Sequence, residues 1–296
     1  MKSFIYKILI VAVSLFVIDH IVGYLLDRLF TDLPSRESET STIYRSLNRE
    51  SADVLVLGSS TANHHYNSLS LSDSLSMSVF NAGVDGFDIT YSDIVYQSFV
   101  DRKDLKYVII DIGEANVDGS WINRISYVRR YYGRNKAVTD FFDNETDWQQ
   151  KIKLYSNLYR YNSSLNSIVS LLFFDRSPDN NNGYRPLYGS KSFDFKTTNS
   201  FKPNAKCINH LMNIVDKCRE KGTKLLIVKS PEAIYNSAFV NWLQSFADSN
   251  SASLLLECDN PIWRERKDLF YDGSHLNSNG AEILTRNVYK ELLSLQ

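Results

Sequence analysis

Cysteine is scarce in this chain: Cys207, Cys218 and Cys258 are the only three in 296 residues. An odd and small number cannot build a disulfide framework, and it neither establishes nor excludes an oxidising compartment. Cys207 and Cys218 fall about three turns apart on one predicted helix, beyond bridging reach of each other. Three buried thiols are the default expectation, with one bridge through Cys258 left open. Net charge is also lacking, at -1, so there is no electrostatic footprint for nucleic acid, whose binding proteins concentrate Lys and Arg. No internal repeat or extended low-complexity tract occurs. Apolar residues at 43% and charged residues at 23% indicate neither disorder nor a multispanning membrane protein. The length suffices for one large domain with a full core, or for a core domain carrying an insertion.

One long apolar run is present, at the N-terminus. Lys2 and Lys7 flank an uncharged stretch from Ile8 to Ile18, and apolar residues continue through Leu26. A membrane helix needs about 20 residues, which Phe4 to Leu26 supplies. Asp19 and His20 interrupt it at a cost that falls near an interface or against a partner. A cleaved signal peptide is the alternative, but no small-x-small cleavage site follows. The positive-inside rule places Lys2 and Lys7 in the cytoplasm and everything after about residue 30 across the membrane. The expected organisation is therefore a cytoplasmic end and single-pass anchor over 1–30, a polar Ser/Thr-rich tether over 31–50, and an extracytoplasmic, periplasmic or cell-surface domain over 51–296.

Within that domain short apolar runs alternate with amphipathic stretches. Val54–Leu57, Ser78–Phe80, Tyr107–Ile112, Leu225–Val228 and Leu254–Leu256 read as strands; Ile89–Val100, Ile208–Cys218, Phe239–Phe246 and Ile283–Leu293 read as helices. The alternation predicts an α/β fold, a flavodoxin-like doubly wound and mainly parallel sheet. From about 114 to 200 the rhythm breaks into a stretch rich in Tyr, Arg and Asn, with Trp121, Trp148, Tyr155, Tyr159 and Tyr161 among its aromatics. It reads as an insertion at the sheet's carboxyl edge, forming either a substrate wall or lid or a small core of its own.

Two segments carry chemistry. In Val54-Leu55-Val56-Leu57-Gly58-Ser59-Ser60 an apolar strand runs into glycine and hydroxyl residues with a helix to follow. That context exposes a serine near the positive end of a helix, where a developing anion is stabilised; Ser59 or Ser60 capping the helix is the competing reading. In Tyr271-Asp272-Gly273-Ser274-His275 a carboxylate and an imidazole stand three residues apart, just before the final helix. The pair can supply a base and the group that orients it, although Asp-Gly turn chemistry would leave a similar pattern. His64 follows Ser60 by four residues and is a candidate for the pocket together with Ser59, while His65 points elsewhere. No metal site is expected from the His64-His65 pair. Arg124, Arg129, Arg130, Arg134 and Lys136 form a basic cluster, either a solvated face or an acidic-glycan site.

Taken together these blocks resemble the SGNH/GDSL hydrolase family over most of residues 51 to 290. The resemblance implies Ser60 as nucleophile within Gly58-Ser59-Ser60, with Asp272 and His275 completing the triad. It also implies Gly83 of Asn81-Ala82-Gly83-Val84-Asp85-Gly86 as an oxyanion-hole donor beside the Ser60 amide. The third block departs from the family's Gly-x-Asn-Asp: Gly113-Glu114-Ala115-Asn116 sets Asn116 one residue late, so either loop geometry absorbs the shift or the side-chain donor is missing. Gly-Ser-Ser variants are similar to membrane-attached relatives that modify cell-surface glycans. That similarity implies an esterase or O-acyltransferase acting on an acylated polysaccharide or other ester, without cofactor, with a multispanning acyl exporter as a partner. A non-catalytic binding or scaffold module of an envelope assembly system is the rival. A structural membrane protein recruiting a partner through Asp19 and His20 is a third reading.

Overall fold

The computed structural model describes residues 2–31, 38–120, 122–167, 173 and 178–295. Two compact units divide the chain, Met1–Ser41 with Ile125–Pro178, and Thr42–Arg124 with Asp179–Gln296.

The second unit is built on strands β1 (Val54–Leu57), β2 (Val79–Asn81), β3 (Tyr107–Asp111), β4 (Lys196–Thr198), β5 (Lys224–Lys229), β6 (Ile234–Asn236) and β7 (Ser253–Leu256). Five of them form one parallel sheet in the order β2-β1-β3-β5-β7. Counting only those five along the chain, the order is 2-1-3-4-5, that of a flavodoxin-like sheet, with its switch point between β1 and β3. Runs such as VLVL and YVIID are buried at every position because both faces of the sheet are covered. Val54, Val56, Ile109, Leu226 and Val228 pack with Leu284, Val288 and Leu292 of the C-terminal helix Ser278–Ser294. The alternate residues Leu55, Val108, Ile110 and Ile227 are equally buried. Helix Ala205–Lys221 packs against β5 and against helix Ile89–Val100.

Asparagine is used repeatedly to start helices: Asn67, Asn204, Asn236 and Asn277 each accept from two amides of the first turn. Strands β4 and β6 form a separate parallel pair that apolar periodicity does not reveal, since β4 is exposed throughout. Residues 39–48, expected as part of a polar tether, form a helix with Ile43 and Leu47 buried four apart. Arg102 donates to the carbonyls of Ser46, Leu47 and Glu50 and thereby caps that helix at its C-terminal end.

The first unit contains helix Lys2–Thr31 with short helices Lys136–Glu145, Trp148–Leu154 and Asn157–Tyr161. An 18-residue window within its Lys2–Leu29 span has a mean hydropathy of 2.3, and the helix is long and apolar enough to cross a membrane or to serve as a signal anchor. Asp19 in that span accepts from the Asn157 amide at 2.7 Å, the Leu158 amide at 2.9 Å and the Ser156 hydroxyl at 2.7 Å. Asp27 pairs with Arg134 and Tyr161. The aromatic stretch expected as one insertion is thus divided: Ile125–Pro178 groups with the N-terminal helix, and the remainder with the sheet. Trp121 lies outside the described residues.

Candidate active site

The carboxyl end of β1 turns sharply at Gly58, whose φ is +140°, and a Cβ there would lie 2.7 Å from the Asp111 carbonyl oxygen. Glycine is required on both counts. Helix Ser60–His65 follows directly, and Ser59 makes no side-chain capping bond to it. The first amides of that helix are therefore not consumed by a cap, contrary to the capping alternative. Thr61, Tyr66 and Ser230 all donate to the carboxylate of Asp111, at the end of β3. Burial pushes the Asp111 pKa up while the Ser230, Thr61 and Tyr66 hydroxyls pull it down, leaving it raised. This buried cluster sits directly after the Gly58 turn and braces it.

From the other end of the chain, Phe270 and Leu276 pair across a tight loop, closed by the Tyr271 amide donating to the His275 carbonyl at 2.8 Å. Inside it, Asp272 Oδ1 accepts from the Ser274 amide at 2.9 Å, the His275 amide at 3.0 Å and His275 Nδ1 at 2.9 Å. Burial would raise the Asp272 pKa, but the Ser274 amide and His275 outweigh it and hold the carboxyl below its usual range. A carboxylate only accepts, so the neutral His275 ring carries its proton on Nδ1 and presents a lone pair at Nε2. Nε2 lies 2.8 Å from Ser60 Oγ. Ser60, His275 and Asp272 are thus in hydrogen-bonded series, the arrangement that activates a serine.

The neighbouring histidines are placed differently. His65 is fully buried, and its Nε2 accepts from the Leu276 amide at 2.9 Å, tying helix Ser60–His65 to the His275 loop. Burial, then the nearby His275 and His64, push its pKa well below the usual histidine value. His64 has both ring nitrogens engaged, by the Arg185 carbonyl at 2.6 Å and Asp85 at 3.2 Å. Of the two pocket candidates, Ser59 lines the cleft and His64 does not. Four residues of helical spacing bring His64 to the correct side, with its ring 5.4 Å from that of His275, but Arg185 and Asp85 hold it behind the surface.

A cleft of about 680 Å³ opens over Ser60 and His275. Gly83, expected as an oxyanion donor, does not line it: its amide donates to Asn81 Oδ1 at 2.9 Å, and a Cβ would meet the Asn63 backbone nitrogen at 2.5 Å. Gly83 instead allows the loop after β2 to approach helix Ser60–His65. Gly86, three residues on, does line the cleft, with φ +72° and an N–H that makes no hydrogen bond among the described residues. The two glycines stand in one hexapeptide, so sequence spacing had no means of choosing between them. Asn116 also lines the cleft: Oδ1 accepts from the Gly113 amide at 2.7 Å and Nδ2 donates to the Phe87 carbonyl at 3.1 Å. An amide group has two N–H bonds, and the second has no partner among the described residues. Asn116 thus reaches the cleft despite standing one residue late in its block.

Among the described residues no Phe, Tyr or Trp lines the cleft, so of the two readings of the aromatic stretch the substrate wall finds no support there. The late part of that stretch contributes Thr198 and Ser200 instead. Three carboxylates, Asp85, Glu114 and Glu232, border the opening without a lysine or arginine among the lining residues. Burial would raise the Asp85 pKa, but His64 and Asn63 bring it down to about 2; burial raises that of Glu114 despite the Asn236 amide. Glu232 pairs with the buried Lys229.

The basic residues are divided between the two units. Arg124 donates to the Asp85 carbonyl in the sheet-bearing unit. In the other unit Arg129 stacks on Tyr159, Arg130 donates to Tyr131, Arg134 pairs with Asp27 and Lys136 with Asp140. All three cysteines are free and buried, so the bridge through Cys258 is not formed. Among the described residues no group of three or more His, Cys, Asp or Glu side chains is placed to hold a metal ion.

The chain matches no known family profile, and no curated protein matches it. Among solved structures, a candidate acylhydrolase from Bacteroides fragilis is 11% identical, covering 90% of this chain and 94% of that one with a TM-score of 0.39. A gut microbial diltiazem-metabolizing enzyme is also 11% identical, covering 81% of this chain and 46% of that one with a TM-score of 0.41. Likeness at this level leaves function to be argued from the site itself.

Proposed function

We propose that this chain is a membrane-attached serine esterase or O-acyltransferase of the SGNH type, with Ser60 as nucleophile and His275 and Asp272 as its base and orienting acid. The observation that carries this reading is the 2.8 Å separation of His275 Nε2 and Ser60 Oγ, with Nδ1 held at 2.9 Å by Asp272. His275 takes the Ser60 proton as Oγ attacks the ester carbonyl. The amides of Ser60 and Gly86 and the free N–H of Asn116 receive the oxyanion. His275 then protonates the departing alcohol, leaving an acyl group on Ser60. Water activated by the same imidazole releases the acid; a sugar hydroxyl in its place receives the acyl group. Neither route needs a metal or organic cofactor.

The substrate we favour is a short acyl ester, such as O-acetyl, on a cell-envelope polysaccharide. An open cleft lined by hydroxyl, amide and carboxylate groups suits a polyhydroxylated ligand, and its three carboxylates favour a neutral chain over an acidic one. The N-terminal helix is the anchor in this reading. Lys2 and Lys7 lie on the cytoplasmic side, the catalytic domain is extracytoplasmic, and a multispanning acyl exporter is the partner suited to transfer.

Ser60 is tested by treating the full-length protein in detergent with a fluorophosphonate probe and an aryl acetate ester. Labelling and turnover are expected in the native chain and absent in Ser60→Ala. Equal turnover by both proteins would remove Ser60 from its role, and an unlabelled native chain would favour the binding module.

A further inference from the structure

The segment after β3 contains a set of apolar side chains that the chemistry does not use. Trp148, Ile152, Tyr155 and Leu158 are 68%, 60%, 74% and 46% exposed. Positions 148, 152 and 155 recur at i, i+4 and i+7, so they share one face of helix Trp148–Leu154 and its end, while Leu154 is buried on the other. Leu158 belongs to the next helix, which packs on the N-terminal helix.

Their level relative to a membrane follows from Asp19. Its carboxylate binds the Asn157 and Leu158 amides, the Ser156 hydroxyl and, at 3.1 Å, the Asn157 side-chain amide. Gly23 permits that closeness, since a Cβ there would lie 2.4 Å from Asn157 Cγ. A hydrocarbon layer of about 30 Å takes about 20 residues. Counted from Phe4 it ends near Gly23, and counted from Ile8 it ends near Asp27. Asp19 is then about 6 Å or more inside the boundary, and Ser156–Leu158 are there with it. A carboxylate at that depth needs every acceptor site met by protein, and four donors meet it here.

We infer that Trp148, Ile152, Tyr155 and Leu158 enter the leaflet on the globular side, so that helices Trp148–Leu154 and Asn157–Tyr161 form with the N-terminal helix a lipid-embedded collar. Trp148 and Tyr155 suit the interfacial level, and Lys151 and Lys153 on the same short helix suit the headgroups. The collar rests on reading the N-terminal helix as an anchor.

The test uses full-length protein in phosphatidylcholine and phosphatidylglycerol vesicles, with one fluorescent thiol probe on Trp148→Cys, Ile152→Cys or Tyr155→Cys and a control on Asp216→Cys. Burial raises the pKa of the native thiols, to about 12 for Cys207, about 11 for Cys218 and about 12 for Cys258, so they stay unlabelled at neutral pH. Lipids brominated on their acyl chains should quench the three collar probes at least about threefold more than the control. Unchanged thermal midpoints ensure that folded protein is read. Resistance of the protein to alkaline carbonate extraction reports the anchor separately. Extraction by carbonate overturns both readings, whereas retention with collar probes quenched no more than the control overturns the collar alone. Protection from a maleimide in native membranes, without quenching in pure vesicles, assigns the face to a protein partner and likewise overturns it.

Discussion

At the scale of single residues, a side chain in this site is useful when one of its bonds is left unspent. Asn81 and Asn116 illustrate the difference. Asn81 is fully buried, and its amide is committed to the Ala62 and Tyr66 carbonyls and the Gly83 amide, so it builds the loop and meets no ligand. Asn116 lines the cleft, holds Gly113 and Phe87, and has one N–H without a partner among the described residues. Asn116→Asp preserves the oxygen that accepts from Gly113 but removes the donor and adds charge. Its kcat on an acetyl ester should fall by about 100-fold or more, the usual cost of one oxyanion donor. A thermal midpoint close to the native one would show that the loss lies in the transition state; unchanged kcat would exclude Asn116 from the hole.

At the scale of elements, the sheet edge is secured by charged ties that bypass the strand ladders. Asp53, just before β1, accepts from the Ser78 hydroxyl at 2.7 Å just before β2, and from Lys103 at 3.0 Å. The Ser78 hydroxyl, opposed by burial and aided by Lys103, lowers the Asp53 pKa to about 2. A folded pKa below the unfolded one means that the unfolded chain binds the proton more readily. The tie is therefore complete above about pH 4 and disappears as pH falls toward about 2. Asp53→Asn should lower the unfolding free energy by about 1 kcal/mol at pH 7 and by almost nothing near pH 2. Urea titrations at the two pH values measure it, and a pH-independent difference would contradict it.

At the scale of the whole molecule, the site depends on two stretches 215 positions apart in sequence meeting at the carboxyl edge of one sheet. His65 is the internal strut between them. It is fully buried and neutral, it accepts from Leu276, and its Nδ1 has no partner among the described residues. Its folded pKa is depressed, so protons favour the unfolded chain, where histidine titrates near about 6.5. Its contribution is complete above that pH and falls by up to about 1.4 kcal/mol per pH unit below it. His65→Gln should flatten the fall in stability between about pH 6.5 and 5, measured by denaturant unfolding at each pH. An unchanged slope would show that His65 is not the titrating strut.

What the amino-acid order determined unaided is local in origin. Both-faces-buried runs marked β1, β3 and β5, one long apolar stretch marked the N-terminal helix, and an Asp-x-x-His spacing singled out the loop whose imidazole reaches Ser60. Each is written within a few residues of itself, because strand period, helix length and loop closure act at short range. Tertiary structure decided which groups were already spent. Gly83 or Gly86, His64 or His65, and a stranded or a clamped Asp19 are indistinguishable by spacing. The partners appear only in the fold: Asn81, two residues back, takes the Gly83 amide, while Leu276 for His65 and Ser156 to Leu158 for Asp19 come from distant parts of the chain. A donor or acceptor is free only after the whole chain has claimed its partners, and that balance exists only in the folded molecule.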